Sequence, residues 1–168
     1  MPTNQSIEII RSKEAKRRYD FLVNDICIAS VDYPKRFAKR AMLKNSNGQW
    51  TIARKGWFKH VLEIASDQSP YTKWSLPQNW RAKTTIRTED NRLFTFQRKS
   101  FWKCSWYWVN EKEEKVIEIK SNKWPSKKRG TIMLLNAADM ALLFLAQIGW
   151  FIVLNEQDDA AVAVAASV

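Results

Sequence analysis

The segment from Met133 to Leu154, MLLNAADMALLFLAQIGWFIVL, most limits what this chain can fold into. Its 22 residues are almost wholly apolar and include no Lys or Arg. As a helix rising about 1.5 Å per residue it would reach roughly 33 Å. That length suits both the hydrocarbon core of a bilayer and the long axis of a small domain. On a helical wheel Asn136, Asp139 and Gln147 gather on one side, while Leu142, Leu145, Ile148 and Phe151 make the rest apolar nearly all round. A helix with so little polar face is buried in protein or in lipid. Asp139 argues against lipid, because an acid near mid-bilayer costs about 2.5–3.5 kcal/mol on insertion scales. It also stands early enough to cap the helix start. The expected helix is 137–154, and two settings compete for it: the interior of its own domain, or a membrane as a tail anchor.

The 168 residues predict one domain, large enough to bury about 70% of its unfolded surface. The expected domain is 1–156, with 157–168 as a short tail. Residues 1–20 are polar and basic, so no signal peptide is expected. Cys27 and Cys104 lack metal-ligand spacing and sit in apolar runs, which predicts reduced core thiols and a cytoplasmic setting. Charge is unevenly placed. All 28 Lys and Arg precede Thr131 together with 13 of the 17 acids, leaving +15 before that point and −4 after it. Such a body favours anionic partners.

Ahead of the apolar segment the chain reads as ten or eleven strands. Ser6–Ile10 is the first. Two more hinge at Asn24-Asp25, and NSNG at 45–48, EDN at 89–91 and NEKEE at 110–114 are turn signals. Residues 68–79, with Pro70 and Pro77, read as a loop or edge connection, and 121–130 as a loop.

An internal repeat organises these strands. WTIARKGWFKHVLEI (50–64) aligns with FTFQRKSFWKCSWYW (94–108) at an offset of 44 residues. Thr51/Thr95, Arg54/Arg98, Lys55/Lys99 and Lys59/Lys103 are identical, and aromatic exchanges for aromatic at Trp50/Phe94, Trp57/Phe101 and Phe58/Trp102. Chance would supply roughly one identity over this length, so 40–66 and 84–110 are expected to be repeated units. Alternation points Trp50, Ile52, Phe58, Leu62 and Ile64 inward, with Phe94, Phe96, Trp102, Trp106 and Trp108 as their counterparts. His60 and Cys104 share one inward position, where His60 has no acid on its face and reads as a packing residue. Strands closing around the apolar helix would line it and remove sheet edges together. The expected fold is mainly β: a closed antiparallel β-barrel of 10–12 strands around a C-terminal central hydrophobic helix, with an internal pseudo-two-fold repeat.

On these residues the chain resembles the tubby C-terminal-like superfamily, which includes the LURP-one-related proteins and phospholipid scramblases. ADMALLFLAQIGWFIVLNE (138–156) is similar to the superfamily's final apolar helix, and the hairpins NGQWTIARKGWF and DNRLFTFQRKSFWKCSWYWVNEKEEKVIEI resemble the repeated units of the LURP-one group. The resemblance spans roughly 36–156 and implies a twelve-stranded barrel around a central helix. The acidic calcium-binding segment of the scramblases has no counterpart, since SNKWPSKKRG precedes the helix and EQDDAAVAVAASV follows it. No basic position of tubby itself can be matched here.

Four glycines and no phosphate-cradling loop, no Cys/His cluster and no nucleophile–base pair lead to the expectation of a non-enzymatic protein without cofactor or metal. The candidate lipid-binding residues are the repeated basic–aromatic junctions at 54–59 and 98–103, giving Arg54, Lys55, Lys59, Arg98, Lys99 and Lys103, extended by Lys127, Lys128 and Arg129. Lys35, Arg36, Lys39 and Arg40 could widen the patch. Cations beside aromatics suit an anionic membrane interface. The expected partner is an anionic phospholipid or phosphoinositide surface. Single-stranded nucleic acid, whose bases stack on exposed aromatics, is the alternative.

Overall fold

The computed structural model describes residues 3–15, 17–34, 39–56, 60–68, 73–77, 83–100, 102–122 and 126–167. Among them are twelve strands: β1 (Gln5–Arg11), β2 (Arg18–Val23), β3 (Ile26–Asp32), β4 (Arg40–Asn45), β5 (Gly48–Lys55), β6 (Val61–Ser66), β7 (Lys73–Pro77), β8 (Thr84–Arg87), β9 (Leu93–Ser100), β10 (Ser105–Val109), β11 (Lys115–Ser121) and β12 (Lys128–Leu134). One helix, α1 (Met140–Ala166), follows. The strands form a single antiparallel sheet in the order β7-β6-β5-β4-β3-β2-β1-β12-β11-β10-β9-β8. This is a meander whose first and last strands also pair, through Ile7↔Ile132 and its neighbours. The sheet curls until β7 and β8 stand side by side, where Trp74 Nε1 donates to Arg87 O at 3.1 Å. The result is a nearly closed barrel, and its seam lies at that junction.

Alternation carries one apolar face inward all the way round. Ile7 and Ile9, Phe21, Val31, Leu43, Ile52, Ile64, Phe96, Trp108, Ile119 and Ile132 are buried in it. The helix fills the lumen: Leu142 and Phe144–Val153 are buried against the strands. Gly149 explains how a helix fits between aromatic walls. A Cβ there would lie 2.6 Å from Ile119 Cδ1 and 2.8 Å from Trp108 Nε1. By length and composition α1 is long and apolar enough to cross a membrane, yet 67% of its most apolar window is buried by the barrel. The barrel interior is what the side chains of its N-terminal half meet, while residues 157–167 are exposed.

Gln147 is a fully buried polar residue of the helix inside this core. Its Nε2 donates to Ser30 O (2.9 Å) and Lys44 O (3.0 Å), and its Oε1 accepts from Asn45 Nδ2 at 2.8 Å. Both ends of the Gln147 amide are therefore matched, and the helix is fixed in rotation against β3 and β4.

The repeat is structural. Ile52 pairs with Ile64 and Arg54 with Leu62 across β5 and β6. Their counterparts 44 residues on, Phe96 with Trp108 and Arg98 with Trp106, pair in the same register across β9 and β10. The flanking pairings slip by one residue, Ala41↔Ile52 against Thr84↔Phe96, so the equivalence is strict only in the central hairpin.

Several expectations are corrected. The helix begins at Met140 rather than 137, because Asp139 caps it by accepting from Ala141 N at 3.2 Å. It runs on to Ala166 rather than stopping at 154, since no Gly or Pro interrupts the Ala-rich continuation. A strand, β7, stands within the 68–79 segment expected to be a connection, and β12 starts at Lys128, inside the expected loop. Trp102 does not face inward: it is 88% exposed in the turn before β10, where the pairing register shifts between Ser105 and Trp106. Cys27 is exposed, and Cys104 is only half-buried, with φ of 45° in that same turn. His60 precedes β6, half-exposed, with Nδ1 3.2 Å from Gly56 O. Trp57, Phe58 and Phe101 lie outside the described residues.

Candidate functional site

In an antiparallel meander alternate connections fall at opposite ends. The β1–β2, β3–β4, β5–β6, β7–β8, β9–β10 and β11–β12 connections share one end, where α1 also emerges after crossing the lumen. This is the exit end. Among the described residues its connections carry Lys13, Arg17, Lys39, Lys83, Lys103 and Lys127 against one acid, Glu14. At the opposite, entry end stand Asp25, Asp67, Glu89, Asp90, three acids of NEKEE and Asp139, against Arg92 and Lys112. The strand connections are thus polarised along the barrel axis, and the exit end also receives the helix acids Glu156, Asp158 and Asp159.

The expected site residues that are described converge on the exit end but divide into two sets. Arg54 and Arg98 continue the inward-facing alternation of Trp50-Ile52 and Phe94-Phe96, so they turn toward the helix. Arg54 is 7% exposed and its Nη1 holds Asp159 Oδ2 at 2.7 Å. Arg98 lies 5.5 Å above the Trp106 ring, whose Nε1 donates to Glu156 Oε2 at 2.9 Å. Burial pushes the Glu156 carboxyl above the usual range; the Trp106 bond and the Arg98 charge pull it partly back. Asp158 is raised for the same first reason, opposed by Arg17. Arg17 stands 5.9 Å over the Tyr33 ring, which stacks on Phe151. Arg129 lines a cavity of about 350 Å³ with Tyr19, Cys104, Trp150 and Gln157. These arginines form a collar around the acidic helix exit. Arg54 and Arg98, expected as surface cations, are structural partners of the helix instead.

The second set faces outward. Lys55 pairs with Glu63 at 2.5 Å, Lys99 approaches Glu118 at 4.0 Å, and Lys128 pairs with Glu8 at 2.7 Å. Lys103 and Lys127 are exposed. Exposed pairs of this kind contribute at most about 1 kcal/mol each and dissociate readily. They leave the lysines able to exchange partners. Lys59, Lys35 and Arg36 lie outside the described residues; Lys39 and Arg40 are exposed.

Sequence motifs alone do not announce the collar, although its signals are present in the chain. The inward parity that ends on Ile52 and Phe96 extends to Arg54 and Arg98, and the only acids after Asp139 are Glu156, Asp158 and Asp159.

At the entry end Arg92 grips Asp139 with both nitrogens, Nη1 to Oδ2 and Nη2 to Oδ1 at 3.0 Å, and its Nε holds Asp90 at 2.6 Å. The guanidinium is kept charged more firmly than usual, chiefly by Asp139. Among the described residues no three His, Cys, Asp or Glu side chains assemble as metal ligands.

Neither a family model, nor a curated protein, nor a solved structure matches this chain.

Proposed function

We propose that the protein is a non-enzymatic, tubby-like barrel that docks its exit end on an anionic phospholipid surface at the cytoplasmic side of a membrane. The observation that carries this reading is the polarity of the strand connections: lysines crowd those at the exit end and acids those at the entry end. The exit-end acids Glu156, Asp158 and Asp159 belong to the helix and face the arginine collar. A negative surface would orient such a molecule as well as attract it. Trp102, 88% exposed beside Lys103, adds an aromatic of the kind enriched at the membrane–water boundary. Each lysine near such a surface contributes about 1 kcal/mol of attraction, weakened by salt. The tubby-like part of the reading rests on the sequence resemblance, which implies twelve strands around a central helix.

Sedimentation with phosphatidylserine or phosphoinositide vesicles tests the reading. Binding should fall between low and physiological salt. Replacing Lys99, Lys103, Lys127 and Lys128 together by Ser should weaken it, whereas Lys112→Ser at the entry end should not. Absence of binding at low salt, with retention on single-stranded nucleic acid, would transfer the basic end to the alternative partner.

A further inference from the structure

At the entry end, beside the seam, lies a cleft of about 300 Å³ whose chemistry is opposite to that of the exit end. Its apolar walls are Trp50 of β5, Trp74 of β7 and Phe144 of α1, with Met140 at the mouth. Its rim is the β8–β9 turn, Thr88, Glu89 and Asp90. The rings interlock, Trp50 to Phe144 at 4.6 Å and Trp74 to Phe144 at 5.7 Å between centroids. The Trp74–Arg87 hydrogen bond holds that indole in place. Both tryptophans remain half-exposed, and Met140 is 53% exposed.

We propose that this cleft binds a small organic cation, a quaternary or protonated amine, through the faces of Trp50 and Trp74 with Glu89 as counter-charge. Aromatic faces carry negative potential and attract cations within about 6 Å, most strongly where water is excluded. Charges around the cleft permit it. The helix N-terminus near Ala141 would repel a cation, but Asp139 caps it. Arg92 is committed to Asp90 and Asp139, and Arg87 turns its Nη1 to Asn91 O at 2.9 Å. Glu89 is exposed and stands apart from these pairs. The volume accommodates a trimethylammonium group with part of its substituent. This site is at the other end of the barrel from the proposed membrane surface and does not depend on it.

The test compares choline with its neutral carbon isostere, 3,3-dimethylbutan-1-ol, on the full chain. The readout is the shift of the Trp50 and Trp74 indole N–H resonances during titration. Choline should bind about tenfold more tightly than the isostere. Glu89→Gln, an exposed substitution that leaves the core untouched, should weaken choline several-fold and leave the isostere unchanged. Trp50→Leu should abolish the preference for choline. Equal binding of the two compounds would show a merely apolar hollow and overturn the proposal. So would shifts at neither indole up to tens of millimolar choline, or a Glu89→Gln protein that binds choline unchanged.

Discussion

Trp106 Nε1 donates to Glu156 Oε2 at 2.9 Å, joining the inner wall of the second repeat to the helix as it leaves the barrel. The bond gives a buried indole its acceptor and holds a carboxylate in a place that burial disfavours. Arg98, Arg54 and Asp159 are the other charges acting on that carboxylate.

Glu156 should make stability depend on pH. Its folded-state pKa is raised above the unfolded value, so its stabilising contribution is fully present below the ordinary glutamate range. That contribution is lost as pH rises through the folded value. Glu156→Gln keeps an acceptor for Trp106 and should flatten this decline. Urea midpoints across about pH 4–7 would check it; a residual slope of the same sign is expected from Asp158.

Gly149→Ala should destabilise the protein by about 1–3 kcal/mol, because the added methyl collides with Ile119, Trp108 and Phe96 together. Denaturant unfolding measures this directly. An unchanged midpoint would mean that the wall yields.

Gln147→Leu should cost about 2–3 kcal/mol, since it strips partners from Asn45, Ser30 O and Lys44 O within the core. Gln147→Glu should cost more still, by burying a charge among acceptors. Thermal melts of both variants against wild type would rank them.

Leu145→Asp should abolish folding, because Leu145 is fully buried in the lumen and an unpaired charge there costs several kcal/mol. Circular dichroism and resistance to proteolysis report the loss. A variant that keeps its strands and resists protease would show that the barrel stands without its helix.

The β-strands, the apolar helix and the repeat were legible in the sequence because each rests on local periodicity. Alternation marked Ile52, Ile64, Phe96 and Trp108, and turn residues such as Asn24-Asp25, both at positive φ, marked the hairpin ends. The same periodicity failed where the backbone departs from a strand. The register shift before Trp106 moved Trp102 out to solvent, and Cys104 took a left-handed turn conformation.

What the sequence determined by itself was a β-rich chain with a helix too apolar to face water. Whether that helix met lipid or protein was a question of closure. Only pairing β1 with β12 and bringing β7 to β8 encloses a lumen, and the first of these joins residues as far apart in the chain as Ile7 and Ile132. The same closure sent Arg54 and Arg98 to the helix exit while leaving Lys99, Lys103 and Lys127 outside. A basic run has no intrinsic direction. Successive side chains point to opposite faces of a strand, so neighbours such as Arg98 and Lys99 acquire separate roles only when one face becomes an interior.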